Sequence, residues 1–163
     1  MCSDIFVCSV DEPDGVKDYV TLISPDTFFS RGLCPEAIVG VITRPLASGE
    51  PITPDFFARN RVFVEFMHDV IAQHGPLQPD FQAEARRLGD GFVYVIDQRT
   101  PDPGGSVPPH DVVGSFQVTN GKVMAGTYTR NPNHVILSAD GFFSLGPNLN
   151  TKLRDEILAC YAH

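Results

Sequence analysis

The sequence predicts an α+β fold, a mainly antiparallel β-sheet with two or three helices packed against it, in a single globular domain over residues 1–163. Three observations carry that expectation. Strand-like apolar runs gather at both ends of the chain, which argues against a doubly wound parallel sheet. Two segments in the middle place apolar residues at helical spacing. Asn120-Gly121 then sits between alternating apolar stretches, a strong hairpin signal because a type I′ turn needs positive φ at both central residues.

Taken in order, residues 5–10 (IFVCSV) read as a strand, DEPDG as a turn, and residues 16–23 as the returning strand of a hairpin. Residues 37–44 form a third strand stopped by Pro45. Thr53-Pro54-Asp55 starts a short helical turn carrying Phe56 and Phe57. From residue 61 to 74, Val62, Phe63, Phe66, Met67, Val70 and Ile71 make one apolar helical stripe, with Asn60 as N-cap and Gly75-Pro76 as the stop. Residues 79–88 form a second helix begun by Pro79 and closed by Gly89. Residues 92–97 read as a buried strand. RTPDPGGSVPPH, residues 99–110, holds too much Pro and Gly for a regular element and is a contact loop. The Asn120-Gly121 hairpin sets Thr119 against Lys122 and, if unbroken, Phe116 against Ala125 and Val112 against Thr129. A short strand at 134–137, a turn at 139–141 and a helix from about 149 to 161 complete the chain.

The net charge is −8, and residues 1–30 hold six acids against the single base Lys17. Such a balance repels phosphate backbones and anionic lipid, so neither nucleic acid nor a membrane surface is expected as a partner, whereas a basic protein partner suits it. No apolar run approaches the roughly 20 residues of a membrane span, and the N-terminus lacks the basic region of a secretory signal, so a reducing cytoplasm is the expected location. The cysteines agree with that reading: Cys2, Cys8, Cys34 and Cys160 show neither a CxxC pair nor metal-ligand spacing.

Chemistry-bearing residues converge at one place. Thr129 to His134 (TRNPNH) combines the guanidinium of Arg130, the amides of Asn131 and Asn133, and the imidazole of His134. Asn-Pro-Asn is also ordinary turn chemistry, since Asn side chains bond their own backbone. Tyr128 lies on the mixed face of the hairpin. In the unbroken register Asp111 opposes Arg130, a surface pair worth under roughly 1 kcal/mol. His110, Asp111, Arg130 and His134 then share the hairpin's open end, although adjacent residues on an extended chain point apart, so His110 and Asp111 do not touch each other. His110 and His134 with Asp111 or Asp140 have the chemistry of zinc or iron ligands, but the spacing is not diagnostic and neither a metal nor a cofactor is assigned. No Gly-x-Ser-x-Gly elbow or P-loop is present, Cys34 has no identified base, and the arginines at 59–61 and 86–87 read as solvated charge. His68 and His74 fall on different faces of their helix.

The leading functional expectation is a non-catalytic cytosolic binding protein that engages a basic protein partner through its acidic N-terminal hairpin and the loop at 99–110. One alternative is a small hydrolase or lyase with His134 as base, Arg130 as anion clamp, and His110 and Asp111 beside them. Another is a structural subunit of a larger assembly, carried by exposed Phe residues.

Overall fold

The structure is a computed structural model that describes residues 5–32, 34–99 and 108–160. The fold is α+β with mainly antiparallel sheets, as the sequence predicts. The first sheet runs β1 (Phe6–Glu12), β2 (Gly15–Thr21), β3 (Ile38–Ile42) and β4 (Phe57–Arg59) side by side, every pair antiparallel. The second is built on β5 (Gly91–Ile96) and β6 (Val112–Thr119), which pair antiparallel. Two short strands, β7 (Lys122–Val123) and β8 (Thr129–Arg130), line the far edge of β6. The two-residue strands β9 (Leu137–Ser138) and β10 (Gly141–Phe142) form a separate small ribbon.

Four α-helices lie among the described residues, one more than expected: α1 (Pro25–Arg31), α2 (Arg61–His74), α3 (Pro79–Leu88) and α4 (Pro147–Cys160). The unanticipated α1 starts on ordinary signals, with Ser24 Oγ accepting from the Thr27 N–H, Pro25 in the first turn and Asp26 beside it. At seven residues it is too short for its apolar spacing to stand out. Both central helices keep their expected limits. Asn60 caps α2 by accepting from Val62 N–H, and its amide also donates to the carbonyls of Pro35 (2.8 Å) and Ile38 (2.9 Å), fastening the helix start to the first sheet.

A core joins the two sheets: Val20 and Val39 from the first, Phe63, Met67 and Ile71 from α2, and Val95, Val113 and Phe116 from the second. Leu149, Leu153 and Ile157 of α4 close it. Rings make up much of this core, and Phe28, Phe63, Phe116 and Phe143 are among its largest fully buried side chains.

The hairpin at Asn120-Gly121 forms with both residues at positive φ (52° and 72°), and Thr119 faces Lys122 as expected. Beyond Val123 the ladder departs from the expected register. An unbroken ladder sets Ser115 against Gly126; Thr129 stands there instead, and Arg130 faces Gly114. The chain loops out because Thr127 takes over the pairing, its Oγ1 donating to the Met124 carbonyl (2.6 Å) and accepting from Gln117 N–H (3.0 Å). This slip removes the expected contact between Asp111 and Arg130. A register shift opposite Val95 and Ile96 leaves Val113 out of the ladder, and its side chain is buried in the core. The contact loop expected at 99–110 falls largely on residues 100–107, outside the described residues.

Candidate functional site

The end of the second sheet holds a buried polar network. Asp97 follows β5 directly, and its side chain is 0 % exposed. Its Oδ1 accepts from the N–H groups of Ser144 (2.9 Å) and Arg99 (3.1 Å), and its Oδ2 lies 3.0 Å from Nε2 of His134. Arg99 is the hub. Its Nε donates to Oδ1 of Asp111 at 2.8 Å, Nη1 to the carbonyls of Ile136 and Gly141, and Nη2 to those of His110 and Val135. All five N–H donors of the guanidinium are therefore spent, on three separate stretches of chain. Pairing and full hydrogen bonding are the conditions under which charges this deep are tolerated.

His134 also lines a cleft of about 290 Å³ between the start of α2 and the segment that follows β8. Arg59, Arg61, Glu65, His68 and Arg130 share that lining. Three cations against one anion make the cleft positive in a protein whose net charge is −8. Arg130 holds Glu65 at 2.6 Å, and that guanidinium lowers the Glu65 carboxyl below its usual range. Arg59 and Arg61 make no ion pair among the described residues. His68 is 7 % exposed, and its Nδ1 sits 2.7 Å from the Tyr128 hydroxyl. Burial, and secondarily the charges of Arg130 and His134, lowers its pKa to about 4, so it is a neutral imidazole near pH 7. Burial likewise pushes the Tyr128 phenol up. Tyr128 itself packs on Gly114, where an added Cβ would stand 2.5 Å from its hydroxyl oxygen. A larger and shallower hollow of about 720 Å³ beside the Asn120-Gly121 turn carries Arg86 and Lys122 but no carboxylate or imidazole in its lining.

The structure brings some of the sequence candidates together and separates others. His134 and Arg130 line the same cleft. Asp111 pairs with Arg99 and not with Arg130. His110 and Asp111 do approach each other, Nε2 to Oδ1 at 3.7 Å, because they sit on a 3-10 turn (Pro109–Asp111) and not on extended chain. His110 is outside the cleft lining, though its carbonyl accepts from Val135 N–H (3.3 Å) next to His134. The Asn131 amide donates to the carbonyls of Pro109 and Val112, and its Oδ1 accepts from Asn133 N–H, which is turn chemistry. Asn133 is exposed, and Tyr128 lies outside the cleft lining with its hydroxyl against His68.

Asp97, Arg99 and Glu65 carry no local sequence signal for a site of their own, and the helical position of His68 and the flanking position of Arg59 and Arg61 suggest none. For Asp97 only burial is signalled: Val93 and Val95 are buried while Phe92 and Tyr94 are exposed, so the alternation carries Asp97 inward. Chemically, an ionised carboxylate against Nε2 fixes the proton there and leaves Nδ1 as the basic nitrogen of the ring. Among the described residues Nδ1 has no hydrogen-bond partner. The arrangement can thus hold an anion at the arginines and accept a proton at the imidazole.

Compared with family models, curated proteins and solved structures, the chain matches none significantly. Among the described residues, no helix is long and apolar enough to cross a membrane.

Proposed function

We propose that the cleft binds a small molecule bearing a carboxylate or phosphate group, and that His134 transfers a proton to or from it, as in a small hydrolase or lyase. The observation that carries this reading is His134, seated on buried Asp97 at 3.0 Å, in the wall of a cleft that also presents Arg59, Arg61 and Arg130. Arg130 acts as the anion clamp, with its bond to Glu65 exchanged for the ligand. Nδ1 of His134 takes the proton, and the Asp97 carboxylate stabilises the imidazolium that results. His68 is neutral and contributes a hydrogen bond without competing for the proton.

The test is a thermal-shift titration with small carboxylates and phosphates on the wild type and on Arg130→Ala. Stabilisation that falls about tenfold or more in apparent affinity in the variant supports the reading, as expected for loss of a charged hydrogen bond. Equal stabilisation of both proteins contradicts it. In a competent substrate assay, His134→Gln loses turnover while keeping the anion-dependent shift.

A second reading, a basic protein partner on the acidic hairpin, rests on Asp11 and Asp14, which are exposed at the β1–β2 turn, with Lys17 facing Glu12 (3.2 Å) and Asp14 (3.7 Å). Reversing the charge at Asp11, Glu12 and Asp14 removes salt-sensitive binding of a lysine-rich peptide if that surface is used; unchanged binding sinks it.

A further inference from the structure

The buried end of the second sheet is short of positive charge. Asp97 and Asp111 are each 0 % exposed, and the one guanidinium between them is Arg99, 3 % exposed. Asp97 is satisfied through both oxygens. Asp111 is not: Oδ1 accepts from Arg99, while Oδ2 is buried with no hydrogen-bond partner among the described residues. A buried carboxylate oxygen left bare is costly and calls for a donor or a cation.

The neighbours of Asp111 supply the rest of a ligand set. Nε2 of His110 lies 3.7 Å from Asp111 Oδ1, and Asp140, from the turn between β9 and β10, completes a group whose ligand atoms all lie within 4.8 Å of one another. We propose that His110, Asp111 and Asp140 bind a divalent transition-metal cation, of the class of Mn²⁺, Fe²⁺ or Zn²⁺. One imidazole nitrogen and two carboxylate oxygens are the donors those ions take. Metal–ligand bonds of about 2.0–2.2 Å draw such atoms closer than they stand here. His110 and Asp140 are free to move that far, since the His110 side chain is 41 % exposed and Asp140 is exposed. Asp111 is the fixed member, positioned by Arg99, and the ion offsets the negative charge that one guanidinium leaves over. The site is separate from the anion cleft and does not rest on it.

The chain holds another group of ligand types, Cys34, Glu36 and Cys160. There Cys34 Sγ donates to Glu36 at 3.0 Å, and burial pushes the thiol up to about 11, so two protonated sulfurs would have to release protons on binding. Among the described residues, no buried, unpartnered atom marks that place.

The experiment is a titration of the full chain with Mn²⁺ followed by electron paramagnetic resonance, in the wild type, His110→Ala, Asp140→Asn and the double variant Cys34→Ser with Cys160→Ser. Asp140 is exposed and the His110 side chain is 41 % exposed, so these variants keep the fold that Asp111→Asn puts at risk. The expected result is one bound Mn²⁺ per chain, weakened about tenfold or more by His110→Ala and by Asp140→Asn and untouched by the cysteine changes. No binding to the wild type, equal binding to His110→Ala and Asp140→Asn, or loss confined to the cysteine variant overturns the proposal. Co²⁺ gives an independent reading, because a thiolate charge-transfer band places the ion at the cysteines and its absence, with d–d bands that vanish in His110→Ala, places it at His110.

Discussion

Arg99 and Arg130 each face a carboxylate, yet their surroundings differ completely. Arg99 is 3 % exposed and gives every N–H to the protein; Arg130 is 47 % exposed and makes one ion pair, to Glu65. The first ties the end of β5 to the 3-10 turn before β6, to the segment after His134 and to β10. The second lines a cleft with two further arginines that make no ion pair among the described residues. A buried arginine with no donors to spare serves the fold, and an exposed one with donors to spare beside a seated histidine is available to a ligand.

The comparison breaks most visibly at Arg99. Arg99→Met leaves Asp111 buried without its partner and four carbonyls without donors, and should lower stability by about 3–5 kcal/mol in urea unfolding. A loss like that of an ordinary surface change would show that the network is not what holds this end of the sheet.

His68 sharpens the same contrast through pH. Its folded pKa is about 4 against an ordinary value of 6.5. As pH falls the unfolded chain takes up this proton first, so stability is full above pH 6.5 and drains between 6.5 and 4. The loss attached to this one group is on the order of 3 kcal/mol. His68→Gln should flatten that part of the stability–pH curve while leaving the carboxylate-driven loss at lower pH, and an unchanged slope contradicts the assignment.

Next comes Gly114, which is apposed to Arg130 across the ladder and covered by the Tyr128 ring. Gly114→Ala forces Tyr128 off His68 and should cost about 1–3 kcal/mol by overpacking, read in the same unfolding experiment. The smallest effect belongs to Arg130 itself. Arg130→Ala should change stability by under about 1 kcal/mol, because its pair with Glu65 is exposed to solvent, while still weakening anion binding.

What the sequence made legible follows from where the determining contacts lie. α2 and α3 carry their own start and stop signals, Asn60, Pro79 and Gly89, so their limits could be read locally. The Asn120-Gly121 turn is likewise self-contained. The register beyond it was not, because one hydroxyl, that of Thr127, replaces a ladder bond and shifts Arg130 from Asp111 to Gly114. Of the site, His134 and Arg130 could be named from their types and their place at the hairpin's end. The partners that define them, Asp97 for His134 and Glu65 for Arg130, lie 37 and 65 residues away along the chain, and no local pattern links them. Arg59 and Arg61 looked like solvated charge because they flank a helix cap; only the fold turns them toward His134.

The central claim is that an anion enters the cleft beside a histidine held by Asp97. The most direct test is to follow the imidazole ¹⁵N resonances while inorganic phosphate is added at constant pH, in the wild type and in Arg130→Ala. The claim predicts saturable shifts of the His134 nitrogens, with Nε2 protonated throughout, His74 unmoved, and the response weakened about tenfold or more without Arg130. An unmoved His134 resonance, or the same response in both proteins, would contradict it.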